Sequence, residues 1–251
     1  MKNKRTLQQL AVAGVIAVIA ALATPAMAVA APNPAPGAAK APTLMFEETF
    51  ENQQQTAAGP LASYAGTSGT TYTADAQWLM ASACNGILVM STSTFADDQC
   101  TGGGNPRENV RALADALGGA TNHAVTAYTH QGHPSTPGAT LLVESQKSGV
   151  TLKENRFYVS SIDLAEVNCV IGATHSAIQF GLETAGGEVI MDPTPAVVCA
   201  GATSDAPQVG TRTSDGFMPS ASQAGAAQYI ARNLTVSGQG NDFAYDNLRL
   251  F

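Results

Sequence analysis

The chain holds four cysteines, Cys84, Cys100, Cys169 and Cys199. Their spacing contains no CxxC pair of the kind that grips zinc, so an even set of four reads as two disulfides. Three pairings are open in principle. The sequential one, Cys84 with Cys100 and Cys169 with Cys199, closes two modest loops rich in Gly, Asp and Pro, and is the expected one. His130 and His133 sit three apart in a Gly/Pro loop, a spacing that can ligate zinc, but no third ligand is indicated and a solvated loop is expected. His123, at the start of a strand, reads as a hydrogen-bonded structural residue. Serine hydrolase chemistry places its nucleophile on a tight Gly-flanked turn, and no GxSxG occurs. A glycosidase needs two carboxylates facing across a cleft; Glu144, Asp163, Glu166 and Glu183 lie on or beside strands, with nothing to put two of them on one groove. Sugar-binding sandwiches stack aromatic rings on pyranose faces. Trp78, flanked by Leu79 and Met80, is expected in the core, whereas Tyr64 and Tyr72, in a Gly/Ser/Thr-rich stretch, are expected at a ligand.

These residues ride on a chain with a recognisable export plan. Lys2, Lys4 and Arg5 precede an apolar run from Leu10 to Ala23, then Pro25 and small residues at Ala26, Ala28 and Ala30. That order is a signal peptide over 1–30, its apolar core too short to span a bilayer comfortably. The Pro/Ala-rich stretch 31–42 cannot bury enough surface to offset its ordering entropy and reads as a tether. One domain is expected over 43–251. Beyond the signal, nine basic residues face nineteen acids, a net charge of −10. That sign argues against nucleic acid and anionic membrane as partners, and no membrane insertion is expected once the signal is cleaved. With no sorting motif or hydrophobic tail at Phe251, release into the medium is favoured over covalent anchoring, although association with the cell surface stays open.

Short apolar runs bounded by Gly, Thr, Ser and Pro predict an all-β antiparallel sandwich. Strands are expected over 44–50, 77–80, 86–90, 124–129, 138–143, 157–165, 177–183, 188–191, 227–236 and 243–251. In the 157–165 run one face is apolar and the other mixed. Ala185-Gly186-Gly187 signals a hairpin. One short helix is expected after Asn105 and Pro106, with Val110, Leu113, Ala114 and Leu117 on one face and Gly118-Gly119 as the stop. It reads as a lid over one edge or open end of the core.

The domain opens with LMFEETFEN, Leu44 to Asn52, and closes with NDFAYDNLRLF, Asn241 to Phe251. That pair resembles the first and last strands of jelly-roll domains found in secreted carbohydrate-binding and adhesive proteins. The wider layout is similar to N-terminal domains of large actinobacterial surface proteins. The resemblance implies a jelly-roll-like sandwich and a structural calcium held by Glu47 or Glu48, Glu51 and Asp246, with Asn241, Asp242 and Asn247 nearby. Calcium takes six to eight oxygens, so backbone carbonyls or water would complete the shell. The function expected is non-enzymatic recognition or adhesion, with a glycan or an extracellular protein as partner. A secreted glycosidase-like hydrolase and a structural cell-envelope protein are the alternatives.

Overall fold

Alternating side chains give each extended segment an apolar face, and two such faces bury each other. In the computed structural model, which describes residues 41–53, 55–128, 140–146, 149–170, 175–235 and 242–251, this produces two antiparallel sheets. The first runs β11 (Gln208–Thr213), β8 (Ser160–Val167), β13 (Asp242–Leu250), β5 (Ala124–Tyr128), β4 (Ile87–Val89) and β2 (Gly59–Pro60), with β1 (Phe46–Glu48) also paired to β13. The second runs β10 (Gly187–Ile190), β9 (Ile178–Thr184), β12 (Gly225–Asn233), β6 (Thr140–Gln146) and β3 (Thr71–Thr73), with β7 (Val150–Leu152) on β12. The fold is thus the expected all-β, jelly-roll-like sandwich, with one α-helix among the described residues. The predicted signal and all but the end of the tether lie outside the described residues, as do His130 and His133.

Ile162, Leu164, Phe243 and Leu250 of the first sheet meet Leu142, Phe180, Leu182 and Tyr229 of the second in one core. Two buried tyrosines keep their hydroxyls satisfied by reaching across it. Tyr229 Oη donates to the Ser161 carbonyl at 3.0 Å, and Tyr245 Oη donates the opposite way to the Leu142 carbonyl at 3.1 Å.

The helix α1 (Pro106–Gly118) has the predicted start and stop. Its position differs from the expected lid: it lies across the outer face of the first sheet, with Leu113 and Ala114 packed on Ala124, Ala165, Val167 and Ala244. This explains the mixed face of the 157–165 run, because Ala165 and Val167 are buried under the helix while Ile162 and Leu164 fill the core between the sheets. Small residues on that face let the helix approach closely. Arg107 and Arg111 tie the 93–99 loop to the helix through the Gln99 and Ser93 carbonyls, their guanidinium groups 5.5 and 4.9 Å from the Phe95 ring centre.

The 77–80 segment is a turn, not a strand. Asp75 closes it, its carbonyl accepting from the Trp78 N–H and its Oδ1 from the Gln77 N–H, both at 2.9 Å. Trp78 is fully buried, as expected. Gly86, at φ +65°, is required here, since a Cβ would sit 3.1 Å from the indole and 2.5 Å from Leu79. Cys84 pairs with Cys100 and Cys169 with Cys199, the sequential arrangement.

Candidate functional site

β1 carries the first of the expected site residues. Its pleat sends Phe46 and Glu48 inward and Glu47 outward, so the two glutamates cannot share a site. Glu47 lies on the surface, its Oε1 2.9 Å from Arg249 Nε. Glu48 is buried, and both its oxygens are taken. Oε1 accepts from the Phe50 N–H at 2.6 Å and from Tyr64 Oη at 2.8 Å, while Oε2 accepts a short hydrogen bond from Tyr72 Oη. Tyr64 and Tyr72 are therefore core residues and not an exposed ligand platform, 6% and 3% exposed. Their rings pack on Phe50 with centres 5.6 and 5.7 Å away. Burial, reinforced by the Glu48 charge, raises both phenol pKa values well above the ordinary tyrosine value, so the hydroxyls stay protonated donors.

Phe50 adopts φ +56°, which drops its ring into the core and turns Glu51 back towards β5. There Glu51 Oε1 accepts the His123 N–H at 2.7 Å and Oε2 faces His123 Nδ1 at 3.0 Å. His123 is the hydrogen-bonded structural residue expected. A bulge in β13, with Asn247 at φ +51° and the register to β8 shifting between Asp246 and Arg249, buries Asp246 completely. Its Oδ1 accepts the Asn247 N–H at 2.6 Å. Desolvation raises the Asp246 pKa to about 7. The Asn247 amide and the Asn122 side chain oppose that rise, and the Glu51 and Asp163 charges add to it.

The set expected for calcium thus divides. Glu48 is saturated by donors and Glu47 faces away, so neither fits a cation shared with Asp246. Glu51 and Asp246 are the pair that the calcium expectation retains: the Glu51 charge helps to raise the pKa of the buried Asp246 carboxyl, while both Glu51 oxygens face His123. Asn241 is outside the described residues. Asp242 lies at the start of β13, its Oδ2 accepting from Asn168 Nδ2 at 2.9 Å.

Beside the Glu48 cluster, residues 52, 53 and 55–65 fold round an open groove of about 540 Å³, whose polar lining is Asn52, Gln53, Gln55, Ser63 and an edge of Tyr64 and whose apolar lining includes Ala57, Ala58 and Ala65. Asn52 Nδ2 donates to the Ala65 carbonyl at 2.7 Å and Gln53 Nε2 to the Ala57 carbonyl at 2.8 Å. Among the described residues nothing donates to the two amide oxygens, which remain as acceptors. No Asp, Glu, His, Lys or Arg among the described residues lines this groove. The signal was in the sequence, as the run Asn52-Gln53-Gln54-Gln55, but its meaning depends on the loop geometry.

The four acids weighed for hydrolysis are dispersed. Asp163 and Glu166 project from opposite faces of β8, and Glu144 and Glu183 belong to the other sheet. Among the described residues, the groove that holds Glu183, with Thr151 and Gln228, has no second carboxylate. Glu166 is a buried anchor: its oxygens accept the Ser176 and Cys199 N–H groups at 2.8 and 3.1 Å, and burial raises its pKa. Glu166, His175 and Cys199 bring metal-ligand atom types within 4.8 Å, but the Cys199 sulfur is spent on Cys169.

No protein-family model and no curated protein matches the chain. Among solved structures it is similar to the C-terminal domain of EclA, described as a sugar-binding protein (18% identity, TM-score 0.33, 51% of this chain and 76% of that one). It is also similar to the K3 cleaved adhesin domain of Lys-gingipain from Porphyromonas gingivalis (11% identity, TM-score 0.39, 83% and 99%). A third is a cyclase from Fischerella sp. TAU (18% identity, TM-score 0.38, 51% and 62%). Likeness at this level assigns no activity to the chain.

Proposed function

We propose that the domain is a secreted, non-enzymatic recognition module that binds glycan through the 52–65 groove, with a structural calcium ion at Glu51 and Asp246. The observation that carries the reading is the groove's lining. Its amide and hydroxyl groups match the hydroxyl edges of a sugar and its alanines the apolar ring face, and among the described residues no Asp, Glu, His, Lys or Arg lines it to cleave a bond. The two disulfides suit an oxidising, extracellular setting. The ion would tie the turn after β1 to the β13 bulge, holding the base of the groove loop.

The mature protein on a glycan array, followed by titration calorimetry with the best-bound glycan, tests this. Asn52→Ala combined with Gln53→Ala removes both free amide oxygens and is expected to weaken binding about tenfold or more while shifting stability by about 1 kcal/mol or less. Undiminished affinity in that variant excludes the groove. Cleavage of the arrayed glycan by the wild type excludes a purely binding role.

A further inference from the structure

At the free side of the first sheet lies a slot that the recognition groove does not use. β11 is the terminal strand there, paired to β8 alone among the described residues. Ser214 N donates to the Ser160 carbonyl at 2.8 Å, which sets the phase of the ladder. By the alternation of antiparallel pairs, Val209, Thr211 and Thr213 then turn their N–H and C=O groups away from β8.

Between this edge and the 195–200 segment is a cavity of about 390 Å³, lined by Leu164, Pro195, Ala196, Val197, Val198 and Gly210. Gly210 opens it. It pairs with Leu164, so it faces the inter-sheet space, yet a Cβ there would meet nothing within 4 Å and its backbone is not in the left-handed region. Neither conformation nor crowding demands glycine at this position. The far wall is held firmly. Ala196 exchanges backbone hydrogen bonds with Ile178, Cys199 is bound by its disulfide and by Glu166, and Arg212 reaches across to Asp192 and the Thr194 carbonyl.

We propose that this edge binds an extended peptide segment of a partner protein, which adds antiparallel to β11 and drops one bulky aliphatic side chain into the slot. Three features select a peptide. The outward main-chain groups of β11 are a row of donors and acceptors that another strand matches. Directly opposed residues in a sheet point to the same face, so the peptide residue facing Gly210 enters the cavity. The apolar side chains of the wall, Leu164, Pro195, Ala196, Val197 and Val198, suit Leu or Ile over a sugar hydroxyl, while Thr211 and Arg212 form its polar part. Arg212, the one charge in β11, is on the same face two residues along, its side chain 41% exposed. Asp192 and Thr194 engage Nε and Nη2, leaving Nη1 for an acidic side chain on the peptide two positions before the aliphatic one. The site is separate from the glycan groove and does not rest on that reading.

The test uses the mature, oxidised protein and a capped threonine-rich peptide with glutamate two positions before leucine. Saturating peptide is expected to slow amide hydrogen exchange at Val209, Thr211 and Thr213, observed by nitrogen-15 NMR. Changing the peptide leucine to serine is expected to weaken binding about tenfold or more. Gly210→Val fills the slot and is expected to abolish binding with an unchanged or raised Tm. Unaltered exchange at millimolar peptide overturns the proposal, as does equal affinity for the serine peptide or for a folded Gly210→Val. The serine peptide keeps the question decidable if that variant fails to fold. A concentration-dependent dimer of the wild type that protects the same amides without peptide also overturns it, because a second copy then occupies the edge.

Discussion

Glu48→Ala is expected to lower the unfolding free energy by about 5 kcal/mol, the largest effect of any single substitution at the site. The change strands three buried donors at once, the Phe50 N–H and the hydroxyls of Tyr64 and Tyr72. Each unsatisfied buried donor costs about 1–3 kcal/mol, and a cavity adds to the total. For a domain of this size the Tm falls by about 10–20 °C. Tyr64→Phe and Tyr72→Phe are each expected to cost less, about 1–2 kcal/mol, because the carboxylate retains its other partners. Urea unfolding of the single and double variants gives the coupling energy. A loss under about 1 kcal/mol for Glu48→Ala would mean that the carboxylate is not the hub of this cluster.

Asp246 is expected to make stability depend on pH and on calcium together. Its folded pKa, about 7, lies above the ordinary value of 3.8, so between these two values the native state keeps a proton that the unfolded chain has released. Stability from this group is therefore full below about pH 4 and is lost as pH rises through 7, a change of about 4 kcal/mol in the absence of metal. Asp246→Asn, which resembles the protonated acid, is expected to flatten that profile. Calcium should act in the opposite sense by stabilising the ionised form, raising stability at pH 8 by about 2.7 kcal/mol at a hundredfold excess over its Kd. Thermal unfolding at pH 5 and pH 8, each with chelator and with calcium, separates the two effects. A calcium response that persists in Asp246→Asn moves the ion elsewhere, and a wild-type Tm that ignores both chelator and calcium at pH 8 removes it.

Much of this arrangement was legible in local sequence. The bounds of α1 followed from Pro106 and Gly118-Gly119, and the β9–β10 hairpin from its glycines, because capping and turn geometry involve only neighbouring residues. β11 carries no such local signal. Its sequence, QVGTRT, has no apolar alternation, since one of its inward positions is a glycine and another an arginine paired across the sandwich. A Gly/Ser/Thr-rich stretch looks exposed, which is why the sequence points Tyr64 and Tyr72 at a ligand. Their acceptor, Glu48, is sixteen and twenty-four residues away. One signal could have found it: Phe46 and Glu48 share a face of β1, and an acid on an apolar face must have donors waiting.

The sequence by itself determined a β-rich domain with one helix and an even set of cysteines, because strand periodicity, caps and turns depend on contacts within a few residues. Tertiary structure alone decided which acids are spent and which are available. It saturates Glu48 with two distant hydroxyls, buries Asp246 through a bulge beside Glu51, and leaves the space opposite Gly210 unfilled. The reason is that the charge and hydrogen-bonding state of a buried group is set by what packs around it, and in a sandwich those neighbours come from strands far apart in the chain.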